Sequence, residues 1–145
     1  YKADWKNDYD KVGKVVVANR YTSANAVHQL SKLPQNEWNG FLDWLWDFEF
    51  IKLGIPVPDV VLYLELPPEL SLELVNHRSD ETGQRKDIHE KDADYMRRCY
   101  DAAQFACEKL GWEKIKCYNE QGIRPRELIF HDIMDVISAR TDIVL

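Results

Sequence analysis

Glycine is scarce and scattered. The six glycines form neither G-x-x-x-x-G-K-[ST] nor G-x-G-x-x-G, so no phosphate-cradling loop lies within these 145 residues. Cysteine is scarcer still: Cys99, Cys107 and Cys117 make an odd count with no C-x-x-C pair, which argues against a disulfide framework or structural zinc site and points to a reducing, cytoplasmic setting. No apolar run approaches a membrane span and no basic-plus-apolar signal opens the chain, so no membrane partner is expected. Basic residues are outnumbered, 19 Lys and Arg against 25 Asp and Glu, giving a net charge of -6. That balance excludes a generic nucleic-acid binder but not a small phosphorylated ligand held by a local arginine. The four histidines, His28, His77, His89 and His131, share no metal-ligand spacing, no serine has a nucleophile-elbow context, and each cysteine sits in the apolar pattern of an inert core thiol. Neither a protein-ligated metal nor covalent hydrolase chemistry is expected.

What is present suits a single globular domain, with 45% hydrophobic and 30% charged residues. The chain is organised around Lys14 to Gln29. Val15 to Ala18 are four apolar residues without alternation, the pattern of a strand buried on both faces. The polar cluster Asn19, Arg20, Tyr21, Thr22 and Ser23 follows, at the carboxyl end where open α/β sheets bind ligands. An arginine there suits a phosphate, and an amide just beyond it suits a hydrogen-bonding ring.

Tyr1, Trp5 and Tyr9 mark a helix over 1–11, and Gly13 a stop. A short helix is predicted over 25–33, then a break at Pro34 with Asn36 as N-cap of an aromatic helix over 37–53. Apolar residues cover so much of that helix that it must be covered on more than one side, by core or by a second copy in a homodimer. Asp59 to Leu66 is predicted as a second buried strand, and Pro67-Pro68 open a helix to about residue 77 or 78. Residues 78–92 hold a single aliphatic residue and read as a mobile charged segment, in which Arg78, Arg85 and Lys86 are the cations a lid over polyphosphate requires. Helical spacing returns over 93–110, Gly111 caps it, and 112–118 alternates as a third strand. Asn119 to Gly122 reads as a turn, and 126–137 as a last helix turning Leu128, Ile129, Ile133, Met134 and Ile137 inward. The alternation implies an α/β fold with a parallel sheet.

Two stretches resemble signatures of the thymidylate kinase family. Val15 to Ala26 reads V-V-V-A-N-R-Y-T-S-A-N-A, similar to the family's apolar strand followed by Asp-Arg-Tyr, two residues and Ser-Asn-Ala. Pro58-Asp59, the aliphatic run to Leu66 and Pro67-Pro68-Glu69 resemble the second signature. Residues 78–92 fall where that family has its lid, and Gly122-Ile123-Arg124 resembles its closing segment.

The resemblance implies a P-loop kinase-like α/β fold that phosphorylates dTMP with ATP and Mg²⁺. It implies that Arg20 grips the dTMP phosphate and that Tyr21, Asn25, His28 and Gln29 line the acceptor pocket. Asn19, Arg20 and Arg85 take catalytic positions. Arg78, Arg85 and Lys86 approach the ATP phosphates, and Tyr118, Asn119 and Gly122 border the adenine. Two positions depart from the pattern, with Asn19 where the family has aspartate and Ala24 where it has serine. The sequence begins at Tyr1 without a phosphate loop, so the expectation is the later two thirds of a longer fold lacking roughly 60 residues of βαβ structure. On that expectation the strands at 14–18 and 59–65 flank an empty slot.

Overall fold

The computed structural model describes residues 15–82 and 93–141, with the side chains of 76–82 left aside. The expected helix over 1–11 and most of the lid segment, Arg85 and Lys86 included, lie outside the described residues.

The first helix, α1 (Ser23–Leu30), turns Ala26 and Leu30 inward. A 3-10 turn at Gln35–Glu37 leads into α2 (Trp38–Trp46). Asn36 therefore lies inside the turn instead of capping the helix, because Pro34 already starts the coil. After Trp46 the helix widens into a π-helical segment, Asp47–Lys52, where the Leu53 amide bonds the Phe48 carbonyl five residues back at 2.9 Å. Gly54, at a φ of 59°, then takes the chain out of the helix in a conformation that favours glycine.

Strand β1 (Leu62–Glu65) is followed by helix α3 (Pro68–Thr82). That helix runs past the predicted end, so the backbone of residues 78–82 is helical where a charged loop was expected. Helix α4 (Ala93–Leu110) ends at Gly111, φ 68°, with the Trp112 amide bonding the Cys107 carbonyl at 3.0 Å, a Schellman-type stop. Strand β2 (Glu113–Lys116) then pairs with β1 in parallel, in the register Leu62↔Glu113 to Glu65↔Lys116. The expected turn at 119–122 is the tip of a hairpin of β3 (Tyr118–Asn119) and β4 (Gly122–Ile123). Asn119 Oδ1 accepts from the Gln121 amide at 2.9 Å, the local bond that tightens such turns. Helix α5 (Arg126–Arg140) closes the described chain. Helices around a parallel strand pair give the expected α/β architecture, compatible with a kinase-like fold.

The core lies where α1 and α2 meet α4. Ala102 and Ala106 are fully buried in one cluster with Leu30 and Leu42, their small side chains leaving room for the larger ones. Trp38 packs against Phe105 with ring centroids 5.2 Å apart, while its indole N–H donates to the Leu33 carbonyl at 3.1 Å.

Four expectations need correction. Val15 to Ala18 forms no strand and is exposed, with Val17 at 89%. A strand needs partners on its edges, and among the described residues the parallel sheet has two strands, neither paired with Val15–Ala18. Strand β1 is shorter than expected and leaves Leu64 exposed, for the same reason. The aromatic helix is covered on one side: Trp38, Leu42 and Leu45 are buried, whereas Trp44, Trp46, Phe48 and Ile51 face outward. Helix α5 buries no residue fully: Leu128 is exposed, whereas Ile129, Ile133, Met134 and Ile137 are half-buried, and the helix packs chiefly on β2.

Candidate functional site

The polar cluster after Val15–Ala18 turns sharply. Asn19 and Arg20 are exposed, and Arg20 holds a φ of 62°, the one positive φ among described non-glycine residues. Left-handed backbone is uncommon for a residue with a long side chain and is held in place by its neighbours. Two of those neighbours are visible. The Tyr21 hydroxyl donates to the Pro56 carbonyl at 2.8 Å, and the Ala24 amide bonds the Tyr21 carbonyl at 3.0 Å as α1 begins. The turn thus points the Arg20 guanidinium into solvent beside the start of a helix, an arrangement suited to an anion.

Along α1, Asn25 and Gln29 lie four residues apart on one exposed face. The Asn25 side-chain amide donates to Glu49 Oε1 at 3.3 Å. Glu49 is a buried carboxylate in the π-helical segment, flanked by Phe48 and Phe50, and nothing in its sequence context marks it. His28 turns away from this face toward α4, where its Nδ1 lies 3.1 Å from the Tyr95 hydroxyl. Of the expected acceptor residues, Asn25 and Gln29 are exposed on α1, Arg20 is exposed in the turn before it, and His28 is engaged in the helix interface.

The second group of expected residues sits on the β3–β4 hairpin. Tyr118 pairs with Ile123 and Asn119 with Gly122, which takes a φ of 108° that a side chain would resist. Arg124, just beyond, is tied to Asp132 at 2.7 Å and to the Lys116 carbonyl. The guanidinium hydrogen bond holds the Asp132 carboxyl below the usual aspartate range and Arg124 in its charged form. Of the lid cations, Arg78 has its backbone in α3.

One residue at the strand ends went unmarked by sequence. Glu65 closes β1 at its carboxyl end, is 5% exposed, and accepts from Tyr100 Oη and Gln104 Nε2, each at 2.8 Å. Burial, then the bond to Glu65, raises the Tyr100 phenol well above its ordinary range. The signal was a single acid at the end of V-V-L-Y-L-E-L, where a wholly buried strand has none. A cavity of about 420 Å³ lies beside the start of α1, lined by Thr22, Ser23, Trp46, Val61, Trp112 and Arg140 among others, and not by Arg20, Asn25 or the hairpin.

These features define an α/β unit with a parallel strand pair and an exposed arginine turn at the head of a helix. No family model matches the chain. It is similar to the thymidylate kinases of two Mycobacterium tuberculosis strains, CDC 1551 / Oshkosh and H37Rv, at 32% identity over 85 residues, which is 58% of this chain. Those residues make up 40% of each relative, so the matched part of the chain spans well under half the length of the curated relatives. Among the described residues no helix is long and apolar enough to cross a membrane.

Proposed function

We propose that this chain carries the nucleotide-acceptor part of a nucleotide kinase that phosphorylates dTMP to dTDP with ATP and Mg²⁺. The observation that carries the reading is the similarity to thymidylate kinases, joined to an exposed Arg20 at positive φ in the matching signature. In this reading Arg20 neutralises the acceptor phosphate, and Asn25 and Gln29 meet the base from the open face of α1. The hairpin residues Tyr118, Asn119 and Gly122 border the adenine. Arg78, Arg85 and Lys86 approach the transferring phosphates, and Asn19 stands near them without the charge of an aspartate. Phosphoryl transfer is mostly positioning and charge neutralisation, so such a division of labour is chemically sufficient once ATP and Mg²⁺ are held. In this reading the edge of β1 that is unpaired among the described residues and the exposed Val15–Ala18 flank a slot for a phosphate-loop strand, and the aromatic face of α2 is the surface for a homodimer.

The complete protein is expected to release ADP from ATP only when dTMP is present. Titration with dTMP, dUMP and dCMP ranks the acceptor, and a preference for any but dTMP overturns the substrate assignment. A second reading rests on Asn19, which lacks the charge of an aspartate: a kinase relative that binds nucleotide without transferring phosphate. It is expected to bind dTMP while releasing no ADP.

A further inference from the structure

Helix α4 places Tyr95 and Cys99 four residues apart on one face, and α1 brings His28 to both. His28 Nδ1 is 3.1 Å from Tyr95 Oη and 3.9 Å from Cys99 Sγ. The His28 and Tyr95 rings lie within 15° of parallel at a centroid separation of 6.5 Å, so their polar edges meet. Imidazole nitrogen, thiol sulfur and phenol oxygen form one small triangle across two helices, from residues far apart in sequence.

We propose that this triangle is a binding site for a borderline-soft divalent cation of the zinc type, ligated by Cys99 Sγ and His28 Nδ1, with Tyr95 Oη as a weaker third donor. Zinc bond lengths of about 2.0–2.1 Å to nitrogen, 2.3 Å to sulfur and 2.0–2.2 Å to oxygen, at tetrahedral angles, place N and S about 3.6 Å apart and N and O about 3.4 Å apart. The observed separations differ from these by a few tenths of an ångström, within reach of a side-chain adjustment. Three protein donors leave the fourth position to water, and His28, Tyr95 and Cys99 are all half-buried, so solvent reaches the site.

The donor set selects the ion. Sulfur with imidazole favours zinc-type cations over Mg²⁺, which demands oxygen ligands. Selection among the thiols is equally clear. Cys107 and Cys117 belong to the core, and burial pushes both thiols up, Cys107 to about 11, so neither is a ready thiolate. Ser31 supports the site from outside, its hydroxyl donating to the His28 carbonyl at 3.0 Å. Arg98, 5.9 Å over the Tyr95 ring, opposes a dication and keeps the affinity moderate. Among the described residues no group of three His, Cys, Asp or Glu side chains is placed to hold a metal; here the third donor is a phenol. A captured ion would pin α1 to α4, whether or not the chain acts on nucleotides.

The test uses the 145-residue chain, reduced and free of chelator, titrated with Co²⁺ and read by thiolate-to-metal charge-transfer absorption. The expected result is a saturable band at one ion per chain, displaced by Zn²⁺ and not by Mg²⁺. It disappears in Cys99→Ser, needs at least about tenfold more Co²⁺ in His28→Gln, and is unchanged in Cys107→Ser. A band that survives Cys99→Ser, or no saturable band in the unsubstituted chain, overturns the site. Alkylation of the unsubstituted chain needs no variant: Zn²⁺ should protect Cys99 from a thiol reagent, and equal rates with and without Zn²⁺ count against it.

Discussion

Two apolar regions of similar composition meet opposite fates. Where α1 and α2 close on α4, Leu30, Leu42 and Ala102 are sealed from water, and Trp38 is nearly so. Along Val15–Val17 and the outer face of α2 and its π-helical extension, valines and tryptophans stay exposed. The difference is one of partners, since helices satisfy their own backbone and need only a face, whereas an extended segment needs another strand on each edge. Apolar content therefore reports that a segment is meant to be covered, and topology decides whether the cover is supplied.

Truncating the two kinds of tryptophan separates the regions most sharply. Trp38→Ala, which removes a buried ring and its bond to Leu33, is expected to cost about 3–5 kcal/mol in urea unfolding. Trp44→Ala, on the exposed face, should stay within about 0.5 kcal/mol. Equal losses would mean that the outer face is covered in solution, and sedimentation would then show a dimer.

Arg20 tests whether the exposed region has a task. On the proposed function, Arg20→Ala should weaken dTMP binding by roughly 1.5–3 kcal/mol, the worth of hydrogen bonds to a charged group, and leave ATP binding nearly unchanged. Parallel losses for both ligands would make the turn structural.

Glu65 probes the boundary between the regions. Glu65→Leu strands the Tyr100 hydroxyl and the Gln104 amide, at an expected cost of about 1–3 kcal/mol in the same unfolding measurement. Adding Tyr100→Phe should recover part of that loss, and failure to recover any would show that the carboxylate acts otherwise.

The smallest effect is at Asp132, on the surface. Its folded pKa lies below the ordinary value of 3.8 because Arg124 favours the carboxylate. The pair therefore stabilises the fold above that value and loses its contribution as pH falls below it. The stability difference between the unsubstituted chain and Asp132→Asn should be constant near neutrality and shrink below about pH 3.8. A difference that grows in acid would contradict the assignment.

The helices were legible because their signals are local. Gly111 stops α4 where its φ requires glycine, and the 93–110 periodicity matches the alanine face that α1 covers. The shortened β1 and the exposed Val15–Ala18 were illegible, because strand length depends on neighbours that no window of sequence contains. The same holds for the site. Arg20, Asn25 and the hairpin residues were marked by motif, yet the turn of His28 toward Tyr95 and Cys99 and the seat of Glu49 under Asn25 depend on packing between distant segments. A π-helical widening likewise has no composition signal, and it carries Glu49 into the interior.

The parallel register of β1 and β2 has a consequence in time. Leu62 meets Glu113 only after α3, the segment beyond it and α4 have been laid down, so the ladder closes a loop of some fifty residues. Contacts of such separation form slowly, whereas the turns of α4 are built from near neighbours. The turns of α4 then form early and the ladder late, so weakening Ile115 in β2 should chiefly hasten unfolding.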